Sequence, residues 1–177
     1  TDSVSLLSTL IDSILDAAAS MVNLVAIHHA LQPADREHRF GHGKAEPLAS
    51  LAQAAFICGS AMFLLVEASK RLAQPHPIAN ADFGYTVMAL SIVLTVALVI
   101  FQKYVVRKSG SVAIDADSLH YSSDILINLG VVASLYLTST LGWTFADPLI
   151  AVVIAAYIVK GAYGIGKTAL AILMDRE

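Results

Sequence analysis

Apolar residues lie in five long runs that short polar stretches separate along the chain. These runs predict five α-helices, at about 3–31, 46–70, 82–106, 112–140 and 146–172. They are about twice the 9–11 residues of a membrane β-strand and lack its alternating polarity. Gln32-Pro33 interrupts the helical pattern, and Asp147-Pro148 is typical of a helix start. The pattern therefore predicts an all-α chain.

The lengths of the uncharged windows indicate a membrane protein. The stretches 47–66, 83–101 and 125–146 contain no Asp, Glu, Lys or Arg, and a membrane-spanning helix needs about 20 mostly apolar residues. Over all 177 residues the chain is 56% hydrophobic and 14% charged, against roughly 25% charged in soluble domains. Its net charge of −3 argues against nucleic acid as a partner. We expect a polytopic transmembrane helix bundle whose surroundings are the lipid bilayer.

The basic residues predict the orientation of these helices. They cluster in the loops after the first and third segments: Arg36, Arg39, Lys44, Lys103, Arg107 and Lys108. Cytoplasmic loops are enriched in Lys and Arg, so we expect both loops, and the C-terminus with Lys160 and Lys167, to be cytoplasmic. Five crossings then place Thr1 outside, which leads us to infer a six-helix parent whose first helix lies upstream.

Two of the predicted helices carry polar residues along one face. Steps of three or four residues align two sets: Ser5, Thr9, Asp12, Asp16, Ser20 and Asn23 in the first helix, and Asp117, His120, Asp124 and Asn128 in the fourth. An ionised Asp at the centre of a membrane helix costs at least about 2.5–3.5 kcal/mol on insertion scales. These carboxylates therefore need a partner that neutralises them.

Two i,i+4 pairs near the middle of these segments form the strongest candidate site. Asp12 and Asp16, with His120 and Asp124, supply three carboxylates and one imidazole, which is a full tetrahedral shell for a transition metal. We predict that they form a transport site. Protons could also neutralise the carboxylates, and a purely structural hydrogen-bonding role is the alternative. Asp117 either guides ions towards this site or is a charge near a helix start.

The loop after the first segment holds a second constellation. Asp35, His38 and His42 could converge on one metal because nearby glycines let the segment fold around an ion, although such loop clusters are often only solvated. Lys44 and Asp175 are predicted at the cytoplasmic helix ends, where they either pair, between helices or across a dimer, or remain solvated. The other histidines have no acidic partner at ligand spacing and are expected at the membrane interface: His28, His29 and His76.

These motifs resemble the cation diffusion facilitator family, most closely its bacterial zinc/proton antiporters. The matching elements are Asp12-x-x-x-Asp16, His120-x-x-x-Asp124 and the run 40–46, FGHGKAE. The resemblance covers essentially the whole chain. It implies a six-helix membrane domain of which five helices are present here, and a cytoplasmic domain that follows in family members and is absent from this chain.

The resemblance also implies roles and surroundings. It assigns the transport site to the two i,i+4 pairs, and it assigns a second, cytoplasmic zinc site to Asp35, His38 and His42. It further implies a homodimer in the bacterial inner membrane.

The donor set suggests how metal movement is driven. Metal binds deprotonated carboxylates and neutral imidazole, so protons compete with it. We expect export of Zn²⁺ in exchange for protons by alternating access, with Cd²⁺ or Fe²⁺ as further substrates. A passive metal channel or a membrane metal sensor with the same ligands is the alternative. An enzyme is disfavoured because the sequence has no His-Glu-x-x-His run, and aspartyl intramembrane proteases use one Asp on each of two helices.

Overall fold

The part of the chain that the structure describes forms five α-helices, as the apolar runs predict. The computed structural model describes residues 3–73, 84–143 and 145–175, and within them the side chains at 3–12, 71–73, 84–89, 91, 135 and 139 are outside the description. The helices are α1 (Ser3–Ala30), α2 (Ala45–Ala73), α3 (Gly84–Ser109), α4 (Val112–Leu141) and α5 (Ala146–Leu173). Their ends differ from the predicted ones by a few residues. The described residues contain no strand, so the predicted all-α fold is confirmed.

The core of the bundle lies between α2 and α5, which share the largest interface, and α4 packs against both. Small side chains dominate this core: Ala54, Ile57 and Ala61 from α2, Ala116 from α4, and Ala155, Ile158, Ala162 and Ile165 from α5. Such residues let membrane helices approach closely, because association in lipid depends on van der Waals packing. The alanine-rich stripe of α5 therefore holds α2 and α4 at short range.

The other two helices lie at the sides of this core. α1 contacts α2 and α4, and α3 contacts α4 alone among the helices in the described ranges. Large apolar side chains are exposed on every helix, among them Leu24, Phe63, Val93, Tyr136 and Tyr163. By length and composition, two helices in the described residues qualify as membrane spans, Ala45–Lys70 and Ala146–Leu173. An apolar outer surface of this kind suits a lipid environment.

The loop 31–44, the α3–α4 turn and the end of α5 lie together at one end of the bundle, where three contacts join them to the start of α2. We call this end the loop end. Lys44 Nζ lies 2.8 Å from Asp175 Oδ2 and donates to the Leu173 carbonyl oxygen at 3.1 Å. Ser111 Oγ donates to Glu46 Oε1 at 2.6 Å. Of the alternatives left open for Lys44 and Asp175, the structure shows a pair within one chain, between the start of α2 and the end of α5. The segments predicted to be cytoplasmic all lie at this one end.

Candidate metal-transport site

The centre of the candidate site is His120, which α4 places against α1. Its Nε2 atom lies 3.0 Å from Asp16 Oδ1 and 3.8 Å from Asp124 Oδ2. Each of the three residues offers a ligand atom within 4.8 Å of the others. Tetrahedral zinc with bonds of about 2.0–2.1 Å separates its ligand atoms by roughly 3.3 Å. The two measured distances bracket that value, so the spacing suits one transition-metal ion.

Neighbouring side chains hold the imidazole and the two helices in place. The rings of Phe56 from α2 and His120 pack edge to face, with 5.9 Å between centroids, and the Tyr121 ring lies 5.4 Å from that of His120. The Tyr121 hydroxyl is hydrogen bonded to Ser20 Oγ of α1 at 3.0 Å. His120 is buried, whereas the Asp16 and Asp124 side chains are 37% and 39% exposed. The site is thus anchored on its α4 side and open beside its carboxylates.

The structure brings together three of the four residues predicted for this site. Asp12 lies in α1 four residues before Asp16, a spacing that puts both on one helix face, but its side chain is outside the described part. The side chains of Ser5 and Thr9 are likewise outside the described part. Asp12 therefore stays a predicted ligand.

A second buried polar cluster lies one helical turn from His120 towards the loop end, and we call it the amide layer. Its centre is Asp117. Gln102 Nε2 donates to Asp117 Oδ2 at 2.6 Å, while Asn23 Nδ2 and Gln53 Nε2 donate to Asp117 Oδ1 at 3.3 and 3.4 Å. Asn23 Nδ2 also donates to Gln53 Oε1 at 3.3 Å. The layer joins α1, α2, α3 and α4 through one carboxylate.

The structure shows whether Asp117 is a charge near a helix start, and the amide layer adds residues that the sequence pattern did not indicate. Asp117 is not a helix-start charge, because Ser111 caps α4 by accepting the Ile114 backbone N–H at 3.2 Å. Gln53 and Gln102 escaped prediction because each is a single amide in an apolar run. The available signals are weak: both lie about two turns from the loop end of their helices, and Gln53 follows Ser50 by three residues.

The loop site also forms as a cluster. Asp35 Oδ1 lies 3.4 Å from His38 Nδ1, and Asp35 Oδ2 lies 3.5 Å from His42 Nε2. The three residues offer ligand atoms within 4.8 Å of one another. The backbone N–H groups of His38 and Glu37 donate to the Asp35 carboxylate and hold the pKa of that carboxyl below its usual range. The carboxylate is therefore ready to bind a cation at neutral pH.

Local chain geometry produces this cluster. Gly41 has a φ of 83°, a left-handed conformation that favours glycine, and its N–H donates to the His38 carbonyl oxygen at 3.0 Å. The chain reverses there, and His42 comes back towards His38, with 4.4 Å between ring centroids. His29, expected at the interface without a role, packs its ring 4.5 Å from that of His42. The end of α1 thus supports the loop site.

Comparison with known proteins identifies the family. Residues 1–174 match the family described as the cation efflux transmembrane domain. The cation-efflux pump FieF of Shewanella oneidensis is 49% identical over 175 residues, which cover 99% of this chain and 59% of that protein. The proteins of the same name from Klebsiella pneumoniae subsp. pneumoniae and Yersinia enterocolitica are each 48% identical over 176 residues, covering 99% of this chain and 58% of theirs.

The chain thus spans less than two thirds of the length of these relatives. The family is one of transporters and its domain is a transmembrane domain, and the relatives are bacterial. This protein is accordingly an integral protein of the bacterial inner membrane, as the uncharged windows and the resemblance led us to expect. With its family match extending from residue 1 to residue 174, the chain belongs to the cation efflux family, the cation diffusion facilitators.

Proposed function

We propose that this chain is the membrane domain of a divalent-metal efflux transporter that exports Zn²⁺ in exchange for protons. The observation that carries the proposal is the convergence of Asp16, His120 and Asp124 from two helices, inside a bundle with an apolar surface. Intramembrane carboxylates that face one another are costly without a cation. The names of the relatives, which are cation-efflux pumps, support the direction of transport.

Exchange for protons follows from the chemistry of the same three side chains. A metal ion needs both carboxylates ionised and the imidazole neutral, so filling the site releases protons and protonation expels the metal. Asp16 Oδ1 at 3.0 Å from His120 Nε2 already shares a hydrogen with the imidazole. A proton can therefore take the position between these two atoms when the metal leaves.

The donor set also indicates which metals are carried. One imidazole with carboxylates suits Zn²⁺, and Cd²⁺ or Fe²⁺ are further substrates, whereas a site made only of carboxylates would favour Mn²⁺. Asp12 completes the shell in this proposal as the fourth ligand. We assign a second zinc to Asp35, His38 and His42 at the loop end, where two imidazoles and a carboxylate lie together.

The family resemblance supports a homodimer as the working form. Protons are the counter-ion in the proposed exchange. We propose no catalytic activity. A passive channel and a metal sensor remain the alternatives, since both could use the same ligands.

Zinc flux into proteoliposomes separates these three functions. The purified protein is reconstituted into vesicles with an acidic interior, and entry of Zn²⁺ is followed with a trapped fluorescent indicator. An antiporter accumulates Zn²⁺ above its external concentration and stops when the pH gradient is abolished. Downhill movement alone would indicate a channel, and zinc binding without movement would indicate a sensor.

Matched variants connect the flux to the site. Asp16→Asn removes one carboxylate charge from the cluster and is expected to abolish uphill uptake. Asp115→Asn removes the same charge from the first turn of α4, the helix that carries His120 and Asp124, but outside both clusters of candidate ligands, and is expected to transport normally. Equal uptake by the two variants would contradict the assignment of the site.

A further inference from the structure

The amide layer lies at a depth between the loop end and the transport site. Asp117 precedes His120 by three residues, or about 4.5 Å along the helix axis. Its three amide partners are buried, with Asn23 and Gln53 each 5% exposed and Gln102 8% exposed. Gln102 lies just before Lys103, at the end of α3 that carries Arg107 and Lys108. A cation entering from this end therefore meets Asp117 before it meets His120.

Two of the three amide oxygens of this layer are unused. Asn23 Oδ1 and Gln102 Oε1 are buried without a hydrogen-bond partner. Buried polar atoms are nearly always paired, so a clamp made of N–H donors explains only the nitrogen end of Asn23 and of Gln102. At the other end of each of these two side chains is a carbonyl oxygen, which in a protein normally accepts from a donor or binds a cation.

Rotation of each carboxamide exchanges its nitrogen and oxygen without changing its shape. The nitrogen positions of Gln102 and Asn23 lie 2.6 and 3.3 Å from the Asp117 carboxylate oxygens. After rotation these positions would hold carbonyl oxygens beside a carboxylate, which is a donor set for a divalent cation. Rotation would also use the two oxygens that now lack partners.

We propose that the amide layer is a second cation site, in which Asp117 and the carbonyl oxygens of Asn23, Gln53 and Gln102 hold a divalent cation in transit. This rests on the proposed transport function and deepens it. Its donors are all oxygen, whereas the transport site adds the His120 nitrogen. Transition metals such as Zn²⁺ bind imidazole more readily than the hard oxygen donors that suit Mg²⁺, Ca²⁺ and Mn²⁺, so the ion passes on from the amide layer to the transport site.

The rival explanation is that the four side chains only tie four helices together. The two explanations predict different effects on metal affinity when Gln102 is replaced by Glu. Gln102→Glu adds a charged ligand to a cation site and should tighten binding. In a clamp the same change places two carboxylates 2.6 Å apart in the positions that now share a hydrogen bond and creates no affinity for metal.

Binding of Mn²⁺, measured by the loss of the free Mn²⁺ paramagnetic resonance signal, tests the site directly. The protein used carries Asp16→Asn and His120→Gln to remove the transport site, and Asp35→Asn and His42→Gln to remove the loop site. We expect one Mn²⁺ to remain bound per chain. Gln102→Glu should raise its affinity about tenfold or more, and Gln102→Met, of similar shape, should lower it about tenfold.

Loss of folding is monitored by thermal unfolding of each variant. If Gln102→Glu does not fold, Asn23→Asp makes the same addition from α1 and should show the same gain in affinity. No change in Mn²⁺ affinity with either carboxylate variant, or a decrease, would overturn the cation site.

Zinc uptake by the wild-type protein distinguishes this inference from the proposed function. If uphill uptake occurs and Mn²⁺ affinity does not respond to Gln102, the amide layer is a clamp and the transport proposal stands. If uphill uptake is absent while Mn²⁺ affinity follows the carboxylate substitutions, the cation site stands and the transport proposal fails.

Discussion

The close approach of α4 and α5 at Gly161 leads to a sharp prediction. A Cβ atom at Gly161 would lie 2.9 Å from both Cδ atoms of Leu119 and 3.5 Å from its Cγ. At Gly164, one turn further along α5, a Cβ would meet nothing within 4 Å. Gly161→Ala and Gly164→Ala are therefore the same change on the same helix, with and without a steric clash.

The difference between the two variants isolates the free energy of that clash. Gly→Ala in a helix interior gains about 0.8–1.0 kcal/mol of propensity, and this gain cancels when the variants are compared. Because both methyl groups of Leu119 are contacted, rotation about the last side-chain torsion cannot relieve both. Overpacking of a core costs about 1–3 kcal/mol. Gly161→Ala should thus be about 1–3 kcal/mol less stable than Gly164→Ala.

The clash should also reach the candidate metal site, because Leu119 directly precedes His120. Ordinary contact begins near 3.4 Å, so the Leu119 methyl groups are about 0.5 Å too close. Metal coordination tolerates displacements of only about ±0.2 Å. We expect the zinc affinity of the transport site to fall about tenfold in Gly161→Ala, equivalent to about 1.4 kcal/mol, and to be unchanged in Gly164→Ala.

Denaturant unfolding in detergent micelles, followed by zinc titration of the same samples, measures both quantities. Equal unfolding free energies for the two variants would refute the steric reasoning. A stability difference without a difference in zinc affinity would show that Leu119 moves independently of His120.

Three further predictions follow from the candidate sites. His120→Asp makes the site all-carboxylate, so the ratio of zinc to manganese uptake into vesicles should fall; an unchanged ratio would contradict the role of the imidazole. In a zinc titration, Asp16→Ala should bind one equivalent of zinc fewer than the wild type, and His42→Ala should lack a different equivalent. Loss of the same equivalent in both variants would show that the residues belong to one site. Lys44→Glu should lower stability by at most about 1 kcal/mol because the pair is exposed, with recovery when Asp175→Lys is added; additive losses would exclude a direct pair.

The sequence pattern predicts those features that depend on one helix at a time. The apolar runs predict five helices, and the i,i+4 spacing of His120 and Asp124 predicts two side chains on one face. The loop cluster is predictable for the same reason, since Asp35, His38 and His42 lie close together along the chain. Local spacing also places Asp12 with Asp16, a prediction that the described side chains leave untested.

Features that depend on the register of several helices are not visible in the sequence. Gln53 and Gln102 belong to the amide layer because α2 and α3 bring them to the depth of Asp117. Gln102 has no polar residue three or four positions away, and Gln53 has only Ser50 there, so neither forms a polar stripe like those of α1 and α4. His29 reaches His42 only because α1 ends beside the loop. These relations arise from packing, which periodicity within one helix does not describe.

The start of α4 connects the three polar clusters. Glu46 Oε1 accepts hydrogen bonds from Ser111 Oγ at 2.6 Å and from the Ala113 N–H at 3.4 Å, so the first turn of α4 is tied to the first turn of α2. His42 of the loop site lies four residues before Glu46. A metal that fixes His42 therefore restrains the start of the helix that carries Asp117 and His120. Any movement of the start of α4 relative to α2 must therefore break this contact or carry Glu46, and the chain that leads to His42, along with α4.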